Sequence, residues 1–383
     1  MAVKKKIIIP SAYFCSWNGG VKLVKTILDS LIDFDKKKHF DYILLVPDRN
    51  LISFIKRIYH FFKQFFIGII YGKIIFRDWK YYLSAKELRT YFKNVKNLSI
   101  IGVDYVNEKN FLSEGINLLS MNLIYNKFKI GYLFDFQHKY YPKFFSKEVI
   151  SFRNKFFKDI LNSNDHIIVN SQQTKKDIFK FIKKFRSKIF VLPFAPYLDF
   201  NLNDIKKEDF GTYFVICNQF WKHKNFETAI KAMQYLRNYN CKLYITGQVD
   251  LKTNYIYFLK IKKLIKNLNL EDKVKFLGNL EKKDQLSIIL NSVALIQPSL
   301  YEGGPGGFSV YEALSMNKNV LVTNINVNKE IKSNKVFFFK KQSSQDLYKK
   351  MIKVLKIKNQ SYDRNKIKNK SKINRLKLGR ETF

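Results

Sequence analysis

Short apolar runs recur along the whole chain, each followed by a polar or glycine-bearing stretch and then by apolar positions at helical spacing. The first run, Lys6 to Pro10, leads through Ser11 to Gly20 into Val21 to Leu31, where apolar positions return every three or four residues. That order predicts strand, glycine-bearing loop and helix, the opening of a nucleotide-binding α/β domain. Runs at Tyr42 to Val46, Leu98 to Val103, Ile130 to Phe134, His166 to Val169 and Ile189 to Leu192 are near-continuous rather than alternating, as in strands buried on both faces. A second series begins with a strand over Tyr213 to Cys217 and a helix over Phe226 to Leu236. It continues at Leu243 to Thr246, Val274 to Leu277, Ala294 to Gln297 and Val320 to Val322. Between the two series, Asn201 to Asp209 has no apolar periodicity and reads as a linker. The pattern therefore predicts an α/β protein of two doubly wound, Rossmann-like domains facing each other across a cleft, over residues 1–200 and 205–355, with a Lys/Asn-rich tail at 356–383.

Composition narrows the class. With 383 residues, 46% hydrophobic and 26% charged, the chain can bury large cores, which argues against disorder and against a coiled coil. Seventy Lys and Arg against 31 Asp and Glu leave a net charge of +39, which points to a polyanionic partner, an anionic membrane surface, or a bias toward A/T-rich codons. Cys15, Cys217 and Cys241 stand far apart and odd in number, so neither a disulfide framework nor a zinc ribbon is expected. The opening MAVKKKIIIP has too short an apolar run for a signal peptide, and no stretch of eighteen apolar residues predicts a membrane span. A cytoplasmic protein is expected, with attachment to a membrane surface open.

Candidate chemistry gathers at strand ends. In Gln297-Pro298-Ser299-Leu300-Tyr301-Glu302-Gly303-Gly304-Pro305-Gly306-Gly307, four glycines follow a strand and enter a helix that carries Glu312. Backbone amides freed by Gly303, Gly304, Gly306 and Gly307 at a helix N-terminus suit a diphosphate, and Glu312 could accept from sugar hydroxyls. The alternative is a glycine-rich turn with a glutamate near a helix start. Past the Tyr213 to Cys217 strand, Asn218-Gln219-Phe220-Trp221-Lys222-His223-Lys224 places lysines where they could neutralise phosphate. His138, in Asp135-Phe136-Gln137-His138, also falls at a strand's carboxyl end and is expected to face the cleft, for a hydroxyl contact or proton transfer, unless it is a structural histidine. Gly19-Gly20 either lets the first loop approach a ligand or makes a turn.

Together these segments resemble the GT-B-fold glycosyltransferases of family 4. The resemblance rests on Asn18 to Gly20, on DFQH with Pro142 and Phe144 to Ser146, and on IIVNSQQTKKD from Ile167. It continues through Val191 to Phe194, NQFWKHKN from Asn218 and QPSLYEGGPGGFSVYEAL. It implies sugar transfer from a nucleoside-diphosphate sugar with retention of configuration, with no metal or other cofactor required. It places the phosphate lysine at Lys224, a glutamate by the donor sugar at Glu302 and the ribose-binding glutamate at Glu312. It also places the acceptor-side histidine at His138, the loop over the donor phosphates at Gly19-Gly20, and the tail as a helix returning to the first domain. The chain departs from the family in a Glu302 to Glu312 spacing two residues longer than usual, in Gln219 where an arginine is usual, and in Asn317-Lys318-Asn319 for a Gly-Lys-Pro turn.

Residues 51–100 hold ten Lys or Arg against two acids. Within Leu51 to Ile70, Lys56, Arg57 and Lys63 form a cationic stripe beside a broad aromatic face. This predicts either a helix lying on an anionic membrane or one packed on its own sheet. The expected role is a retaining hexosyltransferase of bacterial cell-surface polysaccharide assembly, such as lipopolysaccharide or capsule, peripheral on the inner face of the cytoplasmic membrane. Its partners would be a nucleoside-diphosphate sugar and a glycan or lipid-linked acceptor. The alternatives are a sugar-nucleotide epimerase of the same fold, or a basic nucleic-acid or membrane-binding protein without catalysis. Against nucleic acid stands the even spread of basic residues, 35 in each of 1–200 and 201–383.

Overall fold

A computed structural model describes residues 5–47 (without 12 and 15–17), isolated positions between 88 and 97, then 98–103, 111–121, 128–193, 205, 210–357 (without 251–252) and 363–382. The helix expected over Leu51 to Ile70, with Lys56, Arg57 and Lys63, lies outside the described residues, as does most of the Asn201 to Asp209 linker.

Two wholly parallel sheets organise the chain. The first holds β1 (Lys5–Pro10), β2 (Phe40–Pro47), β3 (Leu98–Val103), β4 (Ile116–Leu118), β5 (Lys129–Tyr132), β6 (His166–Val169) and β7 (Lys188–Val191), in the order β3-β2-β1-β4-β5-β6-β7. The second holds β8 (Tyr213–Cys217), β9 (Lys242–Thr246), β10 (Val274–Gly278), β11 (Ala294–Gln297), β12 (Asn319–Thr323) and β13 (Val336–Phe339), in the order β10-β9-β8-β11-β12-β13. Ile7 pairs with Tyr42 and with Ile116 in the first sheet, and Phe214 with Leu243 and Ala294 in the second. Every residue of β8 is buried, as is every residue of β11, which is why these strands read as unbroken apolar runs.

Helices cover the sheets. In the first half these are α1 (Asn18–Phe34), α2 (Lys147–Ser163) and α3 (Gln172–Phe181). In the second they are α4 (Phe226–Tyr235), α5 (Tyr255–Asn267), α6 (Lys282–Asn291), α7 (Gly307–Ser315) and α8 (Ser344–Leu355). α2 and α3 start with serine caps, Ser146 accepting from the Val149 amide and Ser171 from the Thr174 amide. α1 begins at Asn18, so Gly19-Gly20 stand in its first turn rather than in the preceding loop.

The last helix, α9 (Arg364–Thr382), leaves the second domain and packs along α1. Ile367 at its start is buried in the second domain's core, and Leu378 near its end is buried in the first. A Cβ on Gly379 would stand 2.0 Å from the Ser30 carbonyl oxygen, so only glycine permits this approach. Arg375 adds an ion pair to Asp33 at 2.6 Å.

Candidate functional site

In each sheet the strand order reverses beside the first strand of its half, between β1 and β4 and between β8 and β11. A crevice at the carboxyl ends of two such strands is where doubly wound sheets bind ligands. The chain leaving β8 carries Asn218 to Lys224, and the chain leaving β11 carries Pro298 to Gly307. The Lys222–Lys224 turn and the αL conformation of Asn225 (φ 51°) bring Lys224 back over the end of the sheet.

There, Lys224 Nζ lies 2.6 Å from Glu302 Oε1. Gln297 Nε2 donates to the same oxygen at 2.7 Å, and Asn218 Nδ2 donates to Gln297 Oε1 at 2.7 Å. The Leu300 amide donates to the His223 carbonyl at 2.7 Å, and Asn225 Nδ2 donates to the Pro298 carbonyl at 3.0 Å. Two loops 79 residues apart are thus sewn into one rigid floor. Asn218 and Gln297 are buried structural partners of this floor, and neither strand periodicity nor charge pattern singles them out. Gln219 is turned to solvent, its Oε1 accepting from Trp221 Nε1 at 2.8 Å, and it takes no part in the floor.

The glycine loop is less open than its composition suggests. The Gly306 amide donates to Asn328 Oδ1 at 2.9 Å and the Gly307 amide to the Pro305 carbonyl at 2.8 Å. Gly303 and Gly304 keep their amides without an acceptor among the described residues. Gly303 meets the first domain: a Cβ there would stand 2.7 Å from both Asp135 Cβ and the Phe134 carbonyl oxygen. Its own carbonyl accepts from Ser171 Oγ at 2.9 Å and Thr174 Oγ1 at 2.8 Å.

The same seam continues on both sides. The Phe136 amide donates to the Tyr301 hydroxyl at 2.9 Å, and the Tyr141 hydroxyl to the Leu300 carbonyl at 3.1 Å. Burial raises the Tyr301 hydroxyl well above its ordinary pKa, so it stays protonated. Glu330 reaches across to the N-terminus of α3, its two carboxylate oxygens accepting from the Gln172 and Gln173 amides at 2.8 Å each.

Glu312 is buried on α7 and carries two lysines. Lys282 Nζ lies 2.7 Å away, and Lys22 of α1 pairs with it from the first domain while resting over the Phe308 ring at 4.7 Å. Burial lowers the Lys282 ammonium to about 8. Lys22 is absent from every motif in the sequence; its place is fixed only by the pairing of α1 with α7, 290 positions further on.

His138 corrects an expectation. It follows β5, but the helical turn Gln137–Tyr140 rotates its ring inward, and it does not face the cleft. The ring is 1% exposed, stacked on Phe136 with Phe145 and Phe157 edge-on, and its Nε2 is 3.1 Å from Asn154 Oδ1. Burial holds it at about 4, and hence neutral. The cleft-facing carboxylate after β5 is instead Asp135, held by Arg153 at 2.7 Å and by the Gln137 amide at 2.8 Å.

No group of three His, Cys, Asp or Glu among the described residues could hold a metal ion. Cys217 and Cys241 are buried free thiols, Cys217 pushed up to about 12 by burial. Among the described residues no helix is long and apolar enough to cross a membrane.

The twin parallel sheets, each with its switch point at the cleft, define the GT-B fold. The whole chain superposes on solved structures of that class. Sucrose-phosphate synthase from Thermosynechococcus elongatus matches with a TM-score of 0.59 at 14% identity, over 99% of this chain and 95% of the other. Anabaena Alr3699/HepE in complex with UDP-glucose matches with a TM-score of 0.60 at 13% identity, over 99% and 98%. Residues 199–373 match the family described as Glycosyl transferases group 1. Among curated relatives, the O-antigen chain mannosyltransferase RfbU of Salmonella typhimurium is 27% identical over 205 residues, which make up 52% of this chain. The match spans about half of that relative's length, 53%.

Proposed function

We propose that the chain is a glycosyltransferase that moves a hexose from a nucleoside-diphosphate sugar to a glycan or lipid-linked acceptor, with retention of configuration, in cell-surface polysaccharide assembly. One observation carries the reading: Lys224 and Glu302 meet at the β8 and β11 switch point, next to Gly303 and Gly304, whose amides have no acceptor among the described residues. In that place Lys224 and the two amides neutralise the diphosphate as the leaving group gains charge, and Glu302 both positions Lys224 and accepts from a hydroxyl of the sugar. Glu312 takes the ribose hydroxyls, with Lys282 and Lys22 holding its carboxylate in place. Asp135 reaches the seam from the acceptor side, where the family resemblance had pointed to His138. No metal is assigned a role.

The O-antigen mannosyltransferase relative supports the polysaccharide context, and the UDP-glucose bound by the Anabaena neighbour supports a nucleotide-sugar donor. The cationic stripe at Lys56, Arg57 and Lys63 supports work at the inner face of the cytoplasmic membrane. Thermal shift against uridine, guanosine, thymidine and adenosine diphosphate sugars finds the donor, which raises the melting temperature by mass action. Transfer to membrane extract is then followed by release of the nucleoside diphosphate, and the anomeric configuration of the product is read by NMR. Donor cleavage without any acceptor, or no stabilisation by any member of the panel, would overturn the reading.

A further inference from the structure

A cavity of about 370 Å³ opens in the first domain between α2, the end of α3 and the Gln137–Tyr140 turn. Its volume is that of a small-molecule site, about 300–1,000 Å³. Among the described residues none of the second domain lines it, and neither Lys224 nor Glu302 does.

The lining has three chemical parts. Phe136, Phe157 and Phe181 supply an aromatic floor. Lys139, Lys158, Lys183 and Lys184 supply four cations, and among the described residues no acidic one lines the cavity. Lys158, Lys183 and Lys184 have no ion-pair partner among the described residues. The third part is His138 with Asn154: Nε2 donates to Asn154 Oδ1, while the buried Nδ1 has no partner among the described residues. A neutral imidazole donating through Nε2 keeps a bare lone pair at Nδ1, which asks for a donor. A buried acceptor left unmatched is costly to the fold. A phosphate oxygen would be repelled there, whereas a ligand hydroxyl fits, and an anion finds its place at the lysines instead.

We propose that this cavity is a second binding site, for a phosphorylated sugar or polyol whose phosphate lies among the four lysines and whose hydroxyl donates to His138 Nδ1. The same chemistry is presented by a free sugar phosphate and by a lipid headgroup that carries phosphate and hydroxyls. The site does not depend on the donor reading above, and its test involves no sugar transfer.

Isothermal titration of the full chain with glucose 1-phosphate, inorganic phosphate and glucose covers the soluble source, and sedimentation with phosphatidylglycerol vesicles covers the lipid source. At least one of glucose 1-phosphate and the vesicles binds saturably, and if it is glucose 1-phosphate it binds at least fivefold tighter than inorganic phosphate. Lys183→Glu with Lys184→Glu weakens that binding at least tenfold, and His138→Phe at least fivefold. Lys349→Glu with Lys350→Glu, the same charge change on α8, leaves it unaltered. Circular dichroism confirms folding, and the surface lysine variants decide the matter even if His138→Phe does not fold. The proposal is overturned if neither probe binds, if the α8 pair weakens binding as much as the Lys183 and Lys184 pair, or if phosphate alone matches glucose 1-phosphate.

Discussion

Lys224 Nζ lies 2.6 Å from Glu302 Oε1, in a contact that joins the end of β8 to the end of β11 and sets a cation against a carboxylate that is almost wholly buried. Replacing Lys224 with Ala removes both the charge and one of the two donors to Glu302. Transfer, measured as kcat/KM for the donor, should fall by about 10²–10³-fold, as when a charge-stabilising donor is lost. Stability should drop by about 1–3 kcal/mol in urea unfolding, because Gln297 still partners the remaining carboxylate. Glu302→Gln should cost less stability but comparable activity. Wild-type turnover in either variant would remove Lys224 and Glu302 from the mechanism.

Gly303 offers a second, purely steric test. Any side chain there meets Asp135 Cβ and the Phe134 carbonyl, and neither can move without shifting β5. Gly303→Ala should therefore push the cleft apart, and activity should be lost while circular dichroism and the core of each sheet stay native. Gly278→Ala is the control: at φ 72° with open space around it, the substitution should cost about 1–2 kcal/mol of stability and leave transfer intact. If Gly303→Ala is fully active, the seam seen here is not the working arrangement.

Glu330 accepts from two amides at the start of α3 and so holds the two domains together through a helix dipole. Glu330→Ala should leave each domain folded but populate an open arrangement. The apparent donor Kd should rise by about three- to tenfold, in proportion to the competent fraction lost. Small-angle scattering should show a larger radius of gyration; an unchanged radius together with unchanged affinity would contradict it.

The buried His138 fixes part of the pH dependence of stability. Its pKa of about 4 in the fold lies below the ~6.5 of an unfolded chain, so as pH falls the unfolded chain takes the proton first. The contribution is complete above pH ~6.5 and is withdrawn between about 6.5 and 4, at up to ~1.4 kcal/mol per pH unit. His138→Phe should accordingly lose about 2 kcal/mol less than the wild type between pH 7 and pH 5 in urea titrations. Equal losses would mean that the imidazole is protonated in the native state.

Some of this was legible in residue order alone. Strands buried on both faces, such as Tyr213 to Cys217 and Ala294 to Gln297, betray themselves because every position must be apolar or internally matched. The positions of Lys224 and Glu302 past the ends of β8 and β11 were legible for a related reason, since strand-end position in a parallel sheet is a statement about the cleft, and Glu312 was legible as a position on the helix that follows the glycine loop. β4 was not, since Ile116-Asn117-Leu118 is three residues long with a buried Asn117 that donates to the Leu112 carbonyl, a local match invisible without coordinates. His138 failed at the phase of one short turn: a rotation of about 100° per residue decides between cleft and core, and no periodicity spans so few residues. Lys22 and Asp135 failed because their partners, Glu312 and Gly303, belong to the other sheet.

α9 changes what kind of object the second domain is. The chain leaves the first sheet after β7, builds the second, and comes back in α9 to lie against α1, with Gly379 over Ser30. The second domain is therefore an insertion within the first, tethered at two crossings, one after β7 and the other along α9, between Ile367 in the second domain's core and Leu378 in the first's. A body hung from one strand can tumble; a body hung from two can only swing about the line that joins them. Two such tethers leave the cleft fewer ways to open than one would, and in the seam Gly303 packs against Asp135.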